Sequence, residues 1–155
     1  MEGINARYLK NLPEPVEIIT VDASFISLKK LLPVFKDWFN PQDVGPNHQD
    51  GDINGNIIAL IKPQFEAGRQ EAARGQGVIR DPAVHQRVLL DILGFADRNG
   101  YHISGLLRSP LTGPKGNIEF LAWMVYVIGG VSNRDLQTQP QRDRSIEKMT
   151  AEALH

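Results

Sequence analysis

The sequence has 155 residues, of which 41% are hydrophobic and 23% charged, and its formal net charge is −1. This composition is ordinary for a globular domain and excludes a disordered or collagen-like chain. The absence of cysteine excludes disulfide frameworks, thiolate nucleophiles and cysteine-based zinc sites. Because the charge is close to neutral, a nucleic-acid partner has to be argued from local residues.

The sequence contains no segment typical of membrane insertion or secretion. The two most apolar stretches, residues 57–61 and 120–131, are shorter than the roughly 20 residues that a membrane-spanning helix needs. Charged side chains interrupt the apolar ones in residues 1–20, which is not typical of a signal peptide. We therefore expect a cytoplasmic protein without a membrane partner.

The first predicted elements are a strand and a helix. Residues 17–21 are a short β-branched run that ends at Asp22. A continuous run of this kind predicts a strand that is buried on both faces. Residues 24–39 then carry apolar side chains at spacings of three and four, which predicts a helix. Pro33 lies inside this pattern and predicts a kink or a late helix start.

A second strand is predicted between two loops. Residues 40–56 are rich in glycine, proline, aspartate and asparagine and predict a loop. Residues 56–61 predict a buried strand that ends at Lys62. Residues 63–80 show only a short helical possibility at 70–74, and a loop of this length is usually functional or mobile.

The last predicted elements are a helix and a hairpin. Asp81 and Pro82 predict a helix start, with aspartate as the N-cap and proline at the first helical position. Residues 101–108 and 119–128 predict two strands, and the Gly- and Pro-rich link at 109–117 is short enough for a hairpin.

The order of these elements predicts an α/β fold. Strands that alternate with helices favour a parallel sheet flanked by helices, and the hairpin adds an antiparallel strand at one edge. We expect residues 1–132 to form this domain and residues 133–155 to be a polar tail with at most a weak helix.

Charged residues terminate two predicted strands and begin another. Asp22 and Lys62 follow the first two strands, and Glu119 begins the last one. Ligands of open α/β sheets bind outside the carboxyl ends of the parallel strands, and an antiparallel strand starts at that same edge. We therefore expect the three side chains to converge, although a charged residue at a strand end is often only a solvated terminus.

Four segments of the sequence carry a specific resemblance to a known family. They are VDASFISL (21–28), LIKPQFE (60–66), GVIRD (77–81), and SP (109–110) with GNIEFL (116–121). In this order, they resemble the haemolysin A type of FtsJ-like ribosomal RNA methyltransferases, over roughly residues 2–130. The resemblance implies the carboxyl-terminal portion of a class I, Rossmann-like methyltransferase fold. It also implies S-adenosylmethionine as methyl donor and a ribose 2′-hydroxyl of ribosomal RNA as acceptor.

The resemblance also implies roles for the three charged residues. The family has a catalytic Lys-Asp-Lys-Glu set, and Asp22, Lys62 and Glu119 match its second, third and fourth members. A ribose hydroxyl is a poor nucleophile, so Lys62 is expected to act as a base or as a cation at the oxygen. The two carboxylates are expected to hold Lys62, and Asp22 also to contact the donor.

Other parts of the family pattern are missing from the sequence. The glycine-rich donor-binding turn and the first lysine of the set belong upstream of the matched segments, so the sequence is expected to be the carboxyl-terminal half of the domain. It would then be a truncated gene, a product of a misplaced start, or a piece that assembles with a second chain. The alternative function is a non-catalytic remnant that binds RNA or a partner. An uncovered sheet edge would favour self-association.

Further candidate ligand-binding side chains are less specific. Four basic residues could follow RNA phosphates, although solvated loop charge explains them as well: Arg69, Arg74, Arg80 and Lys115. Neither His85 nor His48 has a partner at metal-ligand spacing, and no metal is expected.

Overall fold

The computed structural model describes residues 4–14, 16–39, 54–127 and 138–155. Its strands are β1 (Ile18–Val21), β2 (Asn54–Ile61), β3 (Tyr101–Arg108) and β4 (Phe120–Val127). Its helices are α1 (Leu32–Phe39), α2 (Pro63–Glu66), α3 (Arg69–Arg74), α4 (Pro82–Arg98) and α5 (Gln139–Leu154). Residues 40–53 of the predicted loop at 40–56 lie outside the described residues. Residues 54–56 belong to β2.

The four strands form one mixed sheet in the order β1-β2-β4-β3. β1 pairs with β2 in parallel, whereas β4 pairs antiparallel with both β2 and β3. β3 therefore runs in the same direction as β1 and β2. The α/β class and the closing antiparallel hairpin are confirmed, with β4 inserted between β2 and the edge strand β3.

Local sequence signals explain where the two main early helices begin. Ser27 Oγ accepts the Lys29 amide at 3.2 Å and caps a short 3₁₀ turn, after which α1 starts with Pro33 at its second position. Proline is tolerated there because that amide has no partner within the helix. At α4, Asp81 Oδ1 accepts the Ala83 amide at 2.9 Å. The late start of the first helix and the capped start of the second are both confirmed.

The core lies on one face of the sheet. Alternate residues of the four strands are buried there, and the Tyr101 hydroxyl donates to the Leu32 carbonyl of α1 at 2.6 Å. On the opposite face Ile18 is 62% exposed and Trp123 is 46% exposed. The expectation that the first strand is buried on both faces is therefore wrong for β1, because its residues alternate between exposed and buried along the strand.

The chain ends in a helix that packs on this core. Thr138 and Gln141 form a capping box at the start of α5. The helix contacts α4 and β3 and buries Ile146, Thr150 and Ala153. Within the described residues no helix is both long and apolar enough to cross a membrane.

Candidate active site

Three elements bring Asp22, Lys62 and Glu119 to one edge of the sheet. We call this the carboxyl edge, where β1 and β2 end and β4 begins. In the register Ile61 is opposite Phe120, so Lys62 and Glu119 directly flank that pair on facing strands. Parallel pairing places Asp22 at the same edge, because it follows β1 as Lys62 follows β2.

An ion pair joins two of these residues. Lys62 Nζ lies 2.5 Å from Asp22 Oδ1, and the side chain of Lys62 is only 10% exposed whereas that of Asp22 is 69% exposed. Removing an ammonium group from water is unfavourable unless an opposite charge compensates for it. The site therefore holds the Lys62 ammonium in a fixed position, paired with an Asp22 carboxylate that is still in contact with solvent.

Glu119 is buried on the neighbouring strand and is held by an amide. Gln64 Nε2 donates to Glu119 Oε1 at 2.8 Å. A Cβ atom at Gly113 would lie 2.2 Å from the same oxygen, which is shorter than any carbon–oxygen contact between non-bonded atoms. Glycine at position 113 thus provides the space that the Glu119 carboxylate occupies.

An aromatic pair joins the two segments that follow the ion-paired residues in the sequence. Phe25 is 90% exposed, and its ring centroid is 4.7 Å from that of Phe65. The backbone of Phe25 has a φ of 63°, a conformation that bulky residues rarely adopt. Such strain persists only where the surroundings enforce it and is typical of functional sites.

The basic residues proposed from the sequence occupy two places. Arg69 and Arg74 lie at the two ends of α3, and Arg74 pairs with Glu71 at 3.5 Å. Lys115 lies in the short 3₁₀ turn of the hairpin link, and Arg80 lies just before α4.

One buried side chain joins the segments that carry Arg80 and Lys115. Asn117 accepts the Ile79 amide at 3.0 Å and donates to the Gly77 carbonyl at 2.9 Å. These hydrogen bonds hold the hairpin link against the segment before α4. Arg80 and Lys115 thus lie in two segments joined by Asn117, whereas Arg69 and Arg74 lie on α3.

His85 is a structural residue of α4. Its Nε2 lies 3.0 Å from the Ile79 carbonyl, and its ring packs edge-on against Phe120. Burial lowers the pKa of His85 below its ordinary value, so the ring is neutral at pH 7 and Nε2 donates the hydrogen bond. Among the described residues no group of three or more His, Asp or Glu side chains could hold a metal ion, and His48 lies outside them.

Gln64, Phe65 and Glu66 carry no local pattern that indicates a role, although all three belong to a segment that carries the resemblance. They form α2, a single turn that starts directly after Lys62. Pro63 at the first helical position was the available signal for this turn. Their partners lie far away in the sequence, so no local pattern could identify the contacts.

Fold and site together define a class of protein. The carboxyl ends of parallel strands are where α/β enzymes bind nucleotide-like ligands, and here that edge holds a buried lysine paired with Asp22, with the buried Glu119 at the start of the facing strand. The chain belongs to the FtsJ-like methyltransferase family, whose model matches residues 1–126.

Individual relatives agree with the family. The chain is 38% identical over 142 residues to "Putative rRNA methyltransferase YqxC" of Bacillus subtilis, covering 88% of this chain and 45% of that protein. It is also 38% identical over 128 residues to "16S/23S rRNA (cytidine-2'-O)-methyltransferase TlyA" of Mycobacterium tuberculosis, covering 80% of this chain and 42% of that protein. The resemblance to the haemolysin A type of this family is confirmed.

A solved structure agrees with the fold. "Putative hemolysin from Streptococcus thermophilus" superposes with a TM-score of 0.71 at 33% identity, over 97% of this chain and 48% of that one. The chain thus spans less than half the length of each of these three proteins.

Proposed function

We propose that this chain is the catalytic part of an S-adenosylmethionine-dependent methyltransferase that acts on a ribose 2′-hydroxyl of ribosomal RNA. The observation that carries the proposal is the nearly buried Lys62 ammonium, paired with Asp22 and opposite Glu119 at the carboxyl edge. The name of the Mycobacterium tuberculosis relative, a cytidine-2′-O-methyltransferase, supports the choice of acceptor.

Lys62 is proposed to act on the acceptor oxygen. A ribose hydroxyl becomes a competent nucleophile when its proton is removed or when a cation stabilises the developing negative charge. The ion pair with Asp22 at 2.5 Å fixes the position of Lys62 Nζ and suits the cation role, whereas the base role requires Lys62 as the neutral amine. Asp22 and Glu119 are proposed to orient Lys62, which keeps the acceptor aligned with the methyl donor.

The residues of this edge fit a cationic methyl donor. When bound, S-adenosylmethionine supplies an electrophilic methyl group on a positively charged sulfur. Asp22 is 69% exposed and presents its carboxylate where sheets of this type bind ligands, so it is the residue proposed to face the donor. The remaining donor contacts are proposed to come from polypeptide that the longer relatives possess and these 155 residues do not include.

An exposed aromatic surface is proposed to receive the RNA. Phe25 and Phe65 offer a face on which a nucleobase can stack, and such stacking contributes about 1–3 kcal/mol per base. Lys115 and Arg80 are proposed to contact phosphates beside the site, and Arg69 and Arg74 phosphates farther along the strand. Since ribosomal RNA is the proposed substrate, the proposed location is the cytoplasm.

A second candidate function is assembly without catalysis, with RNA or a partner chain as the ligand. It is favoured by the sheet face that carries Ile18 and Trp123 and by the edge strand β1. Exposed apolar edges pair readily with other chains. We propose self-association through β1 for the isolated chain. We also propose that residues 1–132 are the methyltransferase part, with residues 133–155 as a polar tail whose helix α5 packs on α4 and β3.

A segment exchange tests the proposed catalytic function. Residues 1–155 replace the matching segment of the Mycobacterium tuberculosis relative, and the chimera is incubated with ribosomal subunits and labelled S-adenosylmethionine. We expect a 2′-O-methylated nucleoside in the digested RNA. Label that appears only on bases would contradict the ribose acceptor. No label from a folded chimera would contradict the proposal as a whole and favour the non-catalytic function.

A further inference from the structure

A carboxylate of α2 holds the loop that follows β1. The Leu28 amide donates to Glu66 Oε1 at 2.8 Å, although the two residues are 38 positions apart. Glu66 also has a side-chain hydrogen bond with Ser27. Leu28 itself is buried, so this contact fixes the far end of the loop whose near end is Asp22.

The charges around Glu66 do not explain why a carboxylate is placed there. Burial raises the pKa of Glu66 above its ordinary value, which means that the charged form is poorly solvated. The charged groups that face it are Lys29, which favours the charged form, and Asp91, which opposes it. Lys29 and Asp91 form an ion pair with each other. A neutral side chain could accept the Leu28 amide without this solvation cost.

Gln64 makes the corresponding contact on the other side of Lys62. Its Nε2 donates to Glu119 Oε1 at 2.8 Å. Its own Oε1 is buried and has no hydrogen-bond partner among the described residues. A buried acceptor left in this way destabilises a fold, so the amide is placed for Glu119 and not for stability.

Phe65, between these two residues, adds a third contact through its ring against Phe25. One turn of helix thus reaches both segments that flank Lys62. We propose that Gln64 and Glu66 are positioning residues, which hold Glu119 and the Asp22–Leu28 loop so that both carboxylates stay beside Lys62. The role of these residues in catalysis rests on the proposed function, whereas the contacts that they make are those of the structure.

The test uses the 155-residue chain in solution. Nuclear magnetic resonance measures the hydrogen-exchange protection factor of the Leu28 amide and the nuclear Overhauser effects between Phe25 and Phe65 and between Asp22 and Lys62. In Glu66→Ala, we expect the protection factor to fall by at least about tenfold and both Overhauser effects to weaken. Glu71→Gln on α3 makes a comparable charge change on an exposed helix and should alter neither.

A pH profile separates positioning by the carboxylate from simple packing. In the unchanged chain, protection of Leu28 should increase as the pH falls through the raised pKa of Glu66, because the closed state binds this proton more tightly than the opened state in which Glu66 is solvated. Glu66→Gln retains an acceptor and should fold, keep the Asp22–Lys62 contact, and show no such pH dependence.

The possible results distinguish a failure of the positioning role from a failure of the proposed methyltransferase function. Unchanged Leu28 protection or an unchanged Asp22–Lys62 Overhauser effect in Glu66→Ala, or a pH profile retained in Glu66→Gln, overturns the positioning role whether or not methyl transfer occurs. If Glu66→Ala does not fold, the Glu66→Gln profile alone decides. None of these measurements depends on methyl transfer, so a failure of the proposed function would leave them unchanged.

Discussion

If Lys62 is present for chemistry, removing its charge should not weaken the fold. In Lys62→Met the alkyl chain still packs, while the ammonium that is only 10% exposed no longer has to leave water. Asp22 then loses its partner, but at 69% exposure it is solvated at little cost. Replacing a buried charge by an apolar group of similar volume is often neutral or stabilising. We expect the free energy of unfolding to change by between zero and about +2 kcal/mol.

Asp22→Asn should have the opposite sign. It leaves the Lys62 ammonium nearly buried without its counter-charge, which we expect to lower the free energy of unfolding by about 1–3 kcal/mol. For a chain of this size, each kcal/mol corresponds to a shift of about 2–4 °C in melting temperature. Urea unfolding followed by circular dichroism measures both changes.

A surface ion pair provides the matched control. Lys29 and Asp91 are paired with side chains 33% and 51% exposed, so Lys29→Met and Asp91→Asn should each change the free energy of unfolding by less than about 1 kcal/mol. A loss of more than about 1 kcal/mol in Lys62→Met would refute the reasoning, because Lys62 would then be part of what stabilises the sheet.

Four further predictions concern other parts of the structure. Gly113→Ala places a Cβ atom where the Glu119 carboxylate lies. The chimera with this change should lose at least about tenfold in the rate of methyl transfer, while its melting temperature shifts by only a few degrees. An unchanged rate would contradict this prediction. Because burial lowers the pKa of His85, the unfolded chain binds a proton below about pH 6.5 that the folded chain does not. Stability should therefore fall with decreasing pH by up to about 1.4 kcal/mol per pH unit from this group, and urea titrations of His85→Gln should lack that component. Asp97 is buried and its carboxylate lies 3.2 Å from Arg142 Nε, so Arg142→Met should lower the free energy of unfolding by about 3 kcal/mol. Adding Asp97→Asn to Arg142→Met should restore part of this loss. Equal stability of the unchanged chain and Arg142→Met would refute the prediction. Calorimetric titration should show weak or no binding of S-adenosylmethionine by the 155-residue chain, whose sequence contains no glycine-rich donor turn, and micromolar binding would overturn that expectation.

The strand pattern was enough to place the candidate residues, because strand direction decides which ends share an edge. The β-branched runs before Asp22 and Lys62 and the hairpin before Glu119 predicted their convergence, and the ion pair between Lys62 and Asp22 agrees with it. Their chemical roles came from the family resemblance and stay proposals.

The contacts that hold the site could not be predicted in the same way. Gln64 meets Glu119 across 55 positions and Glu66 meets Leu28 across 38, and such pairs depend on sheet register and on the path of two loops. The exposure of Ile18 also escaped prediction, because a β-branched run indicates burial without telling which packing partners are present.

The role of Lys62 is tested most directly by exchanging its side chain in the chimera. Arginine keeps the positive charge but does not readily release a proton, whereas methionine removes the charge. The account predicts that Lys62→Met loses about 10²–10⁴-fold in 2′-O-methyl transfer with donor affinity unchanged. Lys62→Arg separates the two mechanisms: a loss of similar size indicates a base, and a rate within a few-fold of the unchanged chimera indicates a cation. A Lys62→Met chimera that methylates ribose as fast as the unchanged one would contradict the assignment of this edge as the catalytic site.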